Sequence, residues 1–217
     1  MKHFYWLLAI AILAVACSKD KPAPSSGAEQ EQPQQGQPEP EEPGGEKEPE
    51  DPYKDYTTYI IQKGKNYCEG NTYEVLSAVA ALDFLVVFDS SCIYQNADPV
   101  NQADINKLLG FSDCVTHHQQ NSARFGWNWM DGALNLYAYC YRNGERMHKP
   151  LGSISLDTAQ HLKMYVEGNY YLFVVNGKID TMPRYCEGNS INGYSLLPYF
   201  GGDEPAPQDI HIRIRRL

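Results

Sequence analysis

Residues 122 to 130 are Ser-Ala-Arg-Phe-Gly-Trp-Asn-Trp-Met, a segment in which apolar and polar side chains alternate. In an extended chain one face would carry Ala123, Phe125, Trp127 and Trp129. The opposite face would carry Arg124, Gly126 and Asn128. A period of two is typical of a β-strand with one buried face. The segment therefore predicts a β-sheet protein with at least one of the two tryptophans in its core.

The same alternation recurs further along the chain. It is found in residues 134–141, 162–166 and 210–215. The dipeptides Asn143-Gly144 and Asn176-Gly177 predict tight hairpins, because both central positions of such a turn need a positive φ. Short strands with turns between them predict an all-β fold, an antiparallel β-sandwich or jelly roll.

Helices are a minor part of the prediction, one or two short ones. A short helix is expected over Asn101–Gly110, with Asn101 as its N-cap and Gly110 as its terminating residue. Residues 71–82 fit either a helix or a strand.

Charge divides the 217-residue chain, whose net charge is −9. Residues 18–56 hold eleven acidic residues, four lysines and eight prolines, with almost no apolar side chains. This composition predicts a disordered acidic tether, with an acidic binding tail as the alternative. Residues 57–217 hold sixteen acidic and thirteen basic residues and are predicted to form one domain. A nucleic-acid partner is not expected, because the domain lacks an excess of basic residues.

Residues 1–17 have the pattern of an export signal. Lys2 and His3 precede an apolar run over residues 4–16, which is too short to span a bilayer as a helix. The run ends in Ala-Val-Ala-Cys17, which resembles the lipobox of bacterial lipoproteins and implies lipidation of Cys17. An ordinary secretory signal is the alternative. With Ser18-Lys19-Asp20, which is similar to a weak form of a surface-export signal, the pattern predicts a lipid-anchored protein exposed on the surface of the bacterial outer membrane.

Two internal segments resemble exported Bacteroidetes lipoproteins of unknown function. They are Asp-Ile-Asn-Lys-Leu-Leu-Gly-Phe-Ser-Asp over residues 104–113 and Asn-Ser-Ala-Arg-Phe-Gly-Trp-Asn-Trp over residues 121–129. Residues 198–202 are similar to them too. This resemblance implies a surface protein and transfers no site. The strand order and the Val-Val-Asn-Gly turn at residues 174–177 also resemble concanavalin-like jelly rolls, a likeness of fold that implies no function.

Five cysteines remain if Cys17 is lipidated, so at least one thiol is free. The pentapeptide Tyr-Cys-Glu-Gly-Asn occurs at residues 67–71 and 185–189, which makes Cys68 and Cys186 the preferred disulfide pair. Five buried thiols are the alternative. The spacing matches no zinc motif, and residues 104–110 do not match a calcium-binding loop. We therefore predict no metal and no other cofactor.

A polar cluster precedes the Trp127 strand. Its members are Asp113, His117, His118, Gln119, Asn121 and Arg124. The weak catalytic candidates are His118 and Arg124, since a histidine beside charged groups can serve as a base. A loop bonded to its own backbone and a ligand-contacting loop are the alternatives. Adjacent histidines are expected to point apart and so not to share a metal ion.

Two families of polysaccharide-degrading jelly rolls provide tests of an enzymatic role. Laminarinase-like hydrolases carry Glu-x-Asp-x-x-Glu on a strand, which this chain lacks. Alginate-lyase-like proteins carry Arg-x-Glu-x-Arg on a strand with Gln-x-His nearby. Here Arg142, Glu145 and Arg146 lie on both sides of the Asn143-Gly144 turn instead.

Aromatic side chains are abundant, with sixteen tyrosines and three tryptophans. Tyr137, Tyr139 and Tyr141 share one face of a predicted strand, and Asn135 and Arg142 lie at its edges. Such a face can stack on sugar rings or can form a second buried layer. We therefore predict a surface-anchored protein that binds an extracellular ligand. A glycan is the preferred ligand, and a protein is the alternative. The alternatives are a carbohydrate-active enzyme, either a lyase or a glycoside hydrolase, and a structural or adhesion protein.

Overall fold

The alternating segments form the strands of two antiparallel sheets. The computed structural model describes residues 50–70 and 72–217. Its strands are β1 (Thr57–Ile61), β2 (Val75–Val79), β3 (Ala81–Phe88), β4 (Asn106–Ser112), β5 (Ser122–Met130), β6 (Ala133–Arg142), β7 (Glu145–Ile154), β8 (Gln160–Glu167), β9 (Tyr170–Val175), β10 (Lys178–Pro183), β11 (Ile191–Leu196) and β12 (Ile210–Arg216). The first sheet has the order β1-β12-β3-β8-β9-β10 and the second β2-β11-β4-β5-β6-β7. The predicted all-β sandwich is confirmed.

The core lies between the two sheets and contains the apolar face of each alternating segment. Phe125 and Trp127 of β5 are fully buried. The indole of Trp127 packs against Phe88 of the first sheet, with ring centroids 5.4 Å apart, and against Tyr94 at 5.8 Å. Trp129 is only partly buried. The expectation that at least one tryptophan of this strand is in the core is confirmed by Trp127.

Both Asn-Gly dipeptides form the predicted hairpin turns. Asn143 and Gly144 have φ values of 51° and 85°, and Asn176 and Gly177 have 49° and 87°. The first turn joins β6 to β7 and the second joins β9 to β10. Each two-residue turn fixes the strand register, which decides the face to which every side chain points.

The helix expected over Asn101–Gly110 is wrong. A 3₁₀ turn occupies Pro99–Ala103, and β4 begins at Asn106. Because β4 lies between β11 and β5 and nearly all of it is buried, its sequence shows no alternation. Gly110 does not end a helix, since it lies opposite Arg124 in the β4–β5 ladder. The ambiguous residues 71–82 contribute β2 and the start of β3; Asn71 lies outside the described residues.

The disulfide expected between Cys68 and Cys186 is wrong. Cys186 is bonded to Cys114, with Cα atoms 6.1 Å apart, and Cys68 is a buried free thiol. The reason is tertiary, because the buried ion pair between Asp113 and Arg184 brings the segments of Cys114 and Cys186 together. The repeated pentapeptide therefore carries no pairing information.

Predictions for the N-terminal part fall mostly outside the described residues. These are the signal segment, the lipidation of Cys17 and the tether up to residue 49. Within the described residues, no helix has the length and apolar character needed to cross a bilayer. Residues 53 and 56, at the end of the predicted tether, pack on β12: Tyr53 stacks on Arg213 at 5.7 Å and Tyr56 on Arg215 at 5.4 Å.

Candidate functional site: a basic groove lined by tyrosines

A groove of about 300 Å³ lies on the outer face of the second sheet. Its floor carries Lys107 of β4, Arg124 of β5 and Tyr139 of β6. Loop residues 118–119, segment 196–202 and two exposed tyrosines form the walls. Alternation explains the floor: Ala123, Phe125, Ala138 and Cys140 point into the core, so Arg124 and Tyr139 point outward.

Arg124 is held in the floor by backbone carbonyls. Its Nη2 donates to the carbonyl oxygen of Leu197 at 2.5 Å and to that of Leu108 at 3.4 Å, whereas its buried Nε has no partner. A Cβ atom at Gly110 would collide with the Arg124 side chain, so glycine provides the room for it. Burial lowers the pKa of the guanidinium to about 10, against the opposing effect of nearby Tyr139.

Lys107 lies beside Arg124 and between two tyrosine rings. Its Nζ donates to the carbonyl oxygen of Gly201 at 2.6 Å and lies 5.2 Å from the ring centroid of Tyr139 and 5.5 Å from that of Tyr199. Burial, with a further contribution from Arg124, lowers the pKa of Lys107 to about 8. The groove is therefore electropositive and partly desolvated.

His118 lies at the wall of the same groove. Its backbone N–H donates to Tyr194 Oη, and its ring Nδ1 is 3.0 Å from the same oxygen. Burial, and then the charges of His117 and Arg124, lower the pKa of His118 to about 4, so the imidazole is neutral at pH 7. The two histidine rings lie side by side with centroids 4.2 Å apart, so the expectation that they point apart is wrong.

Five tyrosines are among the residues that line the groove. Tyr139 is only 6% exposed and forms floor, whereas Tyr67 and Tyr73 are each 60% exposed at the rim. The Tyr67 and Tyr199 rings make a T-shaped contact with their centroids 5.0 Å apart, and the Tyr73 and Tyr194 rings make one at 5.2 Å. These contacts hold the two exposed rings at the rim of the groove.

The structure places some of the site residues predicted from the sequence in the groove and the others outside it. His118, Gln119 and Arg124 of the polar cluster line the groove, together with Tyr139 and Tyr141. Tyr137 and Asn135 lie outside it and bond to Asn128 further along the sheet. Arg142 is exposed next to the hairpin turn and, by alternation, belongs to the face opposite Tyr141.

Sequence reasoning missed Lys107, Tyr67, Tyr73 and Tyr199. Lys107 lies in the segment for which the sequence predicts a helix, whereas Tyr67 and Tyr73 lie between β1 and β2 and Tyr199 lies between β11 and β12. No local pattern marks them. Isolated β-bridges pair Tyr199 with Tyr67 and with Lys107, and Tyr73 packs on Tyr194 of β11.

A buried ion pair holds the loop that carries His118. Arg184 Nε donates to Asp113 Oδ2 at 2.6 Å and its Nη2 to Oδ1 at 3.1 Å, and both side chains are almost completely buried. Cys114 and Cys186 cross-link the same two segments. Asp113, Cys114 and Cys186 are close enough for a shared metal ion, but the disulfide and the ion pair occupy their ligand atoms.

Comparison with known proteins supports the fold. No protein-family model and no curated protein matches the sequence. The alginate lyase AlyC3 superposes with a TM-score of 0.51 at 10% identity, covering 74% of this chain and 72% of the lyase. The carbohydrate-binding module CBM66 from Bacillus subtilis has a TM-score of 0.36 at 11% identity, with coverages of 74% and 92%.

A further similar structure is the alginate lyase AlyA1 from Zobellia galactanivorans. It has a TM-score of 0.45 at 12% identity, with coverages of 75% and 78%. At 10% identity the superposition with AlyC3 shows a shared jelly-roll fold and transfers no activity. The expected similarity to concanavalin-like jelly rolls is thus confirmed at the level of fold.

Proposed function

We propose that the groove binds a glycan and that the chain acts as a binding protein. The observation that carries this proposal is the combination of two exposed tyrosine rings with polar floor groups in one open groove. Flat aromatic rings offer apolar surface to the CH faces of a pyranose, while Arg124, Lys107 and Gln119 can bond to its oxygens. Jelly rolls of carbohydrate-active proteins share this fold, which supports the proposal by analogy.

The proposed setting is the bacterial cell surface. The signal-like residues 1–16 and Cys17 support a lipid anchor, and the proline-rich acidic segment supports a spacer between anchor and domain. A binding domain on such a spacer would retain a polymer near the cell. Radiolabelled palmitate incorporated into the wild-type protein and absent from Cys17→Ser would test the anchor; incorporation into both would contradict it.

Replacing Tyr73 with alanine is expected to weaken glycan binding by about threefold to tenfold, because one stacking contact is worth about 0.5–1.5 kcal/mol. The side chain is 60% exposed, so folding should be little affected. Affinity electrophoresis against a polysaccharide panel, followed by calorimetry with the retained polymer, measures the change. Tyr170→Ala, which removes an exposed tyrosine of the first sheet, is the control. Equal weakening in both variants, or no retained polymer, would contradict the proposal.

The second candidate function is a carbohydrate-active enzyme, a lyase or a hydrolase. One observation favours it: His118 lines the same groove as Arg124 instead of packing in the core. For Nε2 of a neutral His118 to accept a proton, Nδ1–H must donate to Tyr194 Oη, which also accepts the His118 backbone N–H. The low pKa of His118, about 4, makes it a weak base, so binding is the better-supported function.

If the chain is an enzyme, His118→Ala should lower product formation by about a hundredfold or more while polymer retention persists. Product release from the panel, followed by chromatography of the digests, measures this. His117→Ala, at the exposed neighbour, is the control. A wild-type protein that retains a polymer and releases no product would exclude the enzymatic candidate for that polymer.

A further inference from the structure

We infer that the groove selects an anionic polysaccharide, one whose sugars carry carboxylate or sulfate groups. This inference rests on the proposed glycan binding and names the chemical class of the ligand. It depends on the charges that line the groove, on the hydrogen-bond donors left over there, and on the position of both relative to the exposed tyrosines.

The charges in the groove are of one sign. Its described lining residues include Lys107 and Arg124 and no aspartate or glutamate. The Asp104 carboxylate lies against Gly202, accepts the backbone N–H of Asp203 at 3.1 Å and opposes the lowered pKa of Lys107. Among the described residues neither Lys107 nor Arg124 forms a direct ion pair, so an anion brought by a ligand would stabilise these partly desolvated cations.

Both cations keep hydrogen-bond donors that the protein does not use. The partners of Arg124 are two neutral carbonyl oxygens, both bound by Nη2, and its Nε has none. Lys107 uses one of its three donors, on the carbonyl oxygen of Gly201. A role confined to bracing segment 196–202 would not need two adjacent cations that lack a direct ion pair. Oxygen anions are the groups that such donors bind most strongly.

A third cation extends this surface toward the rim. Arg146 of β7 lies opposite Tyr141 in the β6–β7 ladder and therefore on the groove face. Its charge contributes to the lowered pKa of Lys107 and opposes the raised pKa of Tyr139. Positive charge thus extends from the floor of the groove to its edge, where it can contact successive acidic groups of a polymer.

The tyrosines make a polysaccharide the best fit among polyanions. Tyr67 and Tyr73 are each 60% exposed at the rim, where they can pack against the sugar rings of an acidic polymer. The domain over residues 57–217 has more acidic than basic residues, so it has no overall positive charge to attract nucleic acid.

The test compares one polymer in charged and neutral forms. Calorimetry would be run with polygalacturonate, with its carboxyl-reduced derivative, with carrageenan as the sulfated polymer and with agarose as the neutral one. We expect at least one anionic polymer to bind at least tenfold more tightly than the neutral ones, because charge-assisted hydrogen bonds are lost in the latter. Tighter binding of polygalacturonate would show that the groove prefers carboxylate groups, and tighter binding of carrageenan would show that it prefers sulfate groups.

Variants separate this inference from the proposal on which it rests. Lys107→Gln and Arg124→Gln should each weaken binding of the anionic polymer by about tenfold and reduce its sensitivity to salt. Lys178→Gln, on β10 of the first sheet, is the matched control and should change neither. Equal binding of the reduced and charged polymers, with Tyr73→Ala still harmful, would overturn the charge inference and leave glycan binding standing. Binding of none of the four would overturn both.

Discussion

Replacing Arg184 with methionine is expected to lower the free energy of unfolding by about 3–5 kcal/mol, because it leaves the Asp113 carboxylate buried without its cation. The arginine also donates to the carbonyl oxygens of Gly168, Gly188 and Ser190, at distances of 3.1, 2.6 and 3.1 Å. Those acceptors would lose their partner as well. Urea denaturation followed by circular dichroism measures the change.

A partly exposed arginine–aspartate pair serves as the control. Arg213 Nη1 lies 3.8 Å from Asp89 Oδ2, with a third of the arginine side chain exposed. Arg213→Met should therefore cost less than about 1 kcal/mol. The double variant Asp113→Asn, Arg184→Met should lose less stability than the two single variants added together, because it leaves no unpaired charge. Equal losses of stability from Arg184→Met and Arg213→Met would contradict this account.

Removing the disulfide with Cys114→Ser and Cys186→Ser is expected to lower the free energy of unfolding by about 4 kcal/mol. Closing a loop of 72 residues restricts the unfolded chain by about that amount. Thermal unfolding with and without a reductant measures the loss in the wild-type protein, and the double variant should not respond to the reductant. A wild-type protein whose melting temperature is insensitive to complete reduction would contradict the prediction.

Peptide mapping without reduction tests the pairing itself. A cross-linked peptide containing Cys114 and Cys186 is expected, with Cys68 alkylated only after unfolding because it is buried. A Cys68–Cys186 peptide would instead support the pairing suggested by the repeated pentapeptide. Because Cys114 follows Asp113 directly, the effects of losing the disulfide and the ion pair should not be additive.

Both features stabilise the part of the structure that positions His118. Loop residues 113–121 run from the ion pair to β5, and the Asp113 N–H donates to the carbonyl oxygen of Asn121 at 2.9 Å. A loosened loop would change one wall of the groove while leaving the floor on β4, β5 and β6 in place. In the disulfide variant, the free energy of glycan binding should therefore change less than the free energy of unfolding.

Part of the candidate site was predictable from residues close together in sequence. The alternation in β5 and β6 placed Arg124, Tyr139 and Tyr141 on outward faces, and the polar run pointed to His118. Lys107 was hidden because nearly all of β4 is buried and its sequence shows no alternation. The electropositive character was also hidden, since the domain as a whole is slightly acidic and the groove concentrates cations from separate strands.

The sequence by itself determined the strand-rich fold. Alternation at period two marks half-buried strands such as β5, β8 and β12, and the Asn-Gly dipeptides specify two hairpins through local backbone geometry. Only the tertiary structure decided the helix-or-strand choice for β4, the partner of Cys186 and the meeting of Tyr67 with Tyr199. These depend on contacts between segments far apart in the chain, and such contacts leave no periodic trace in the sequence.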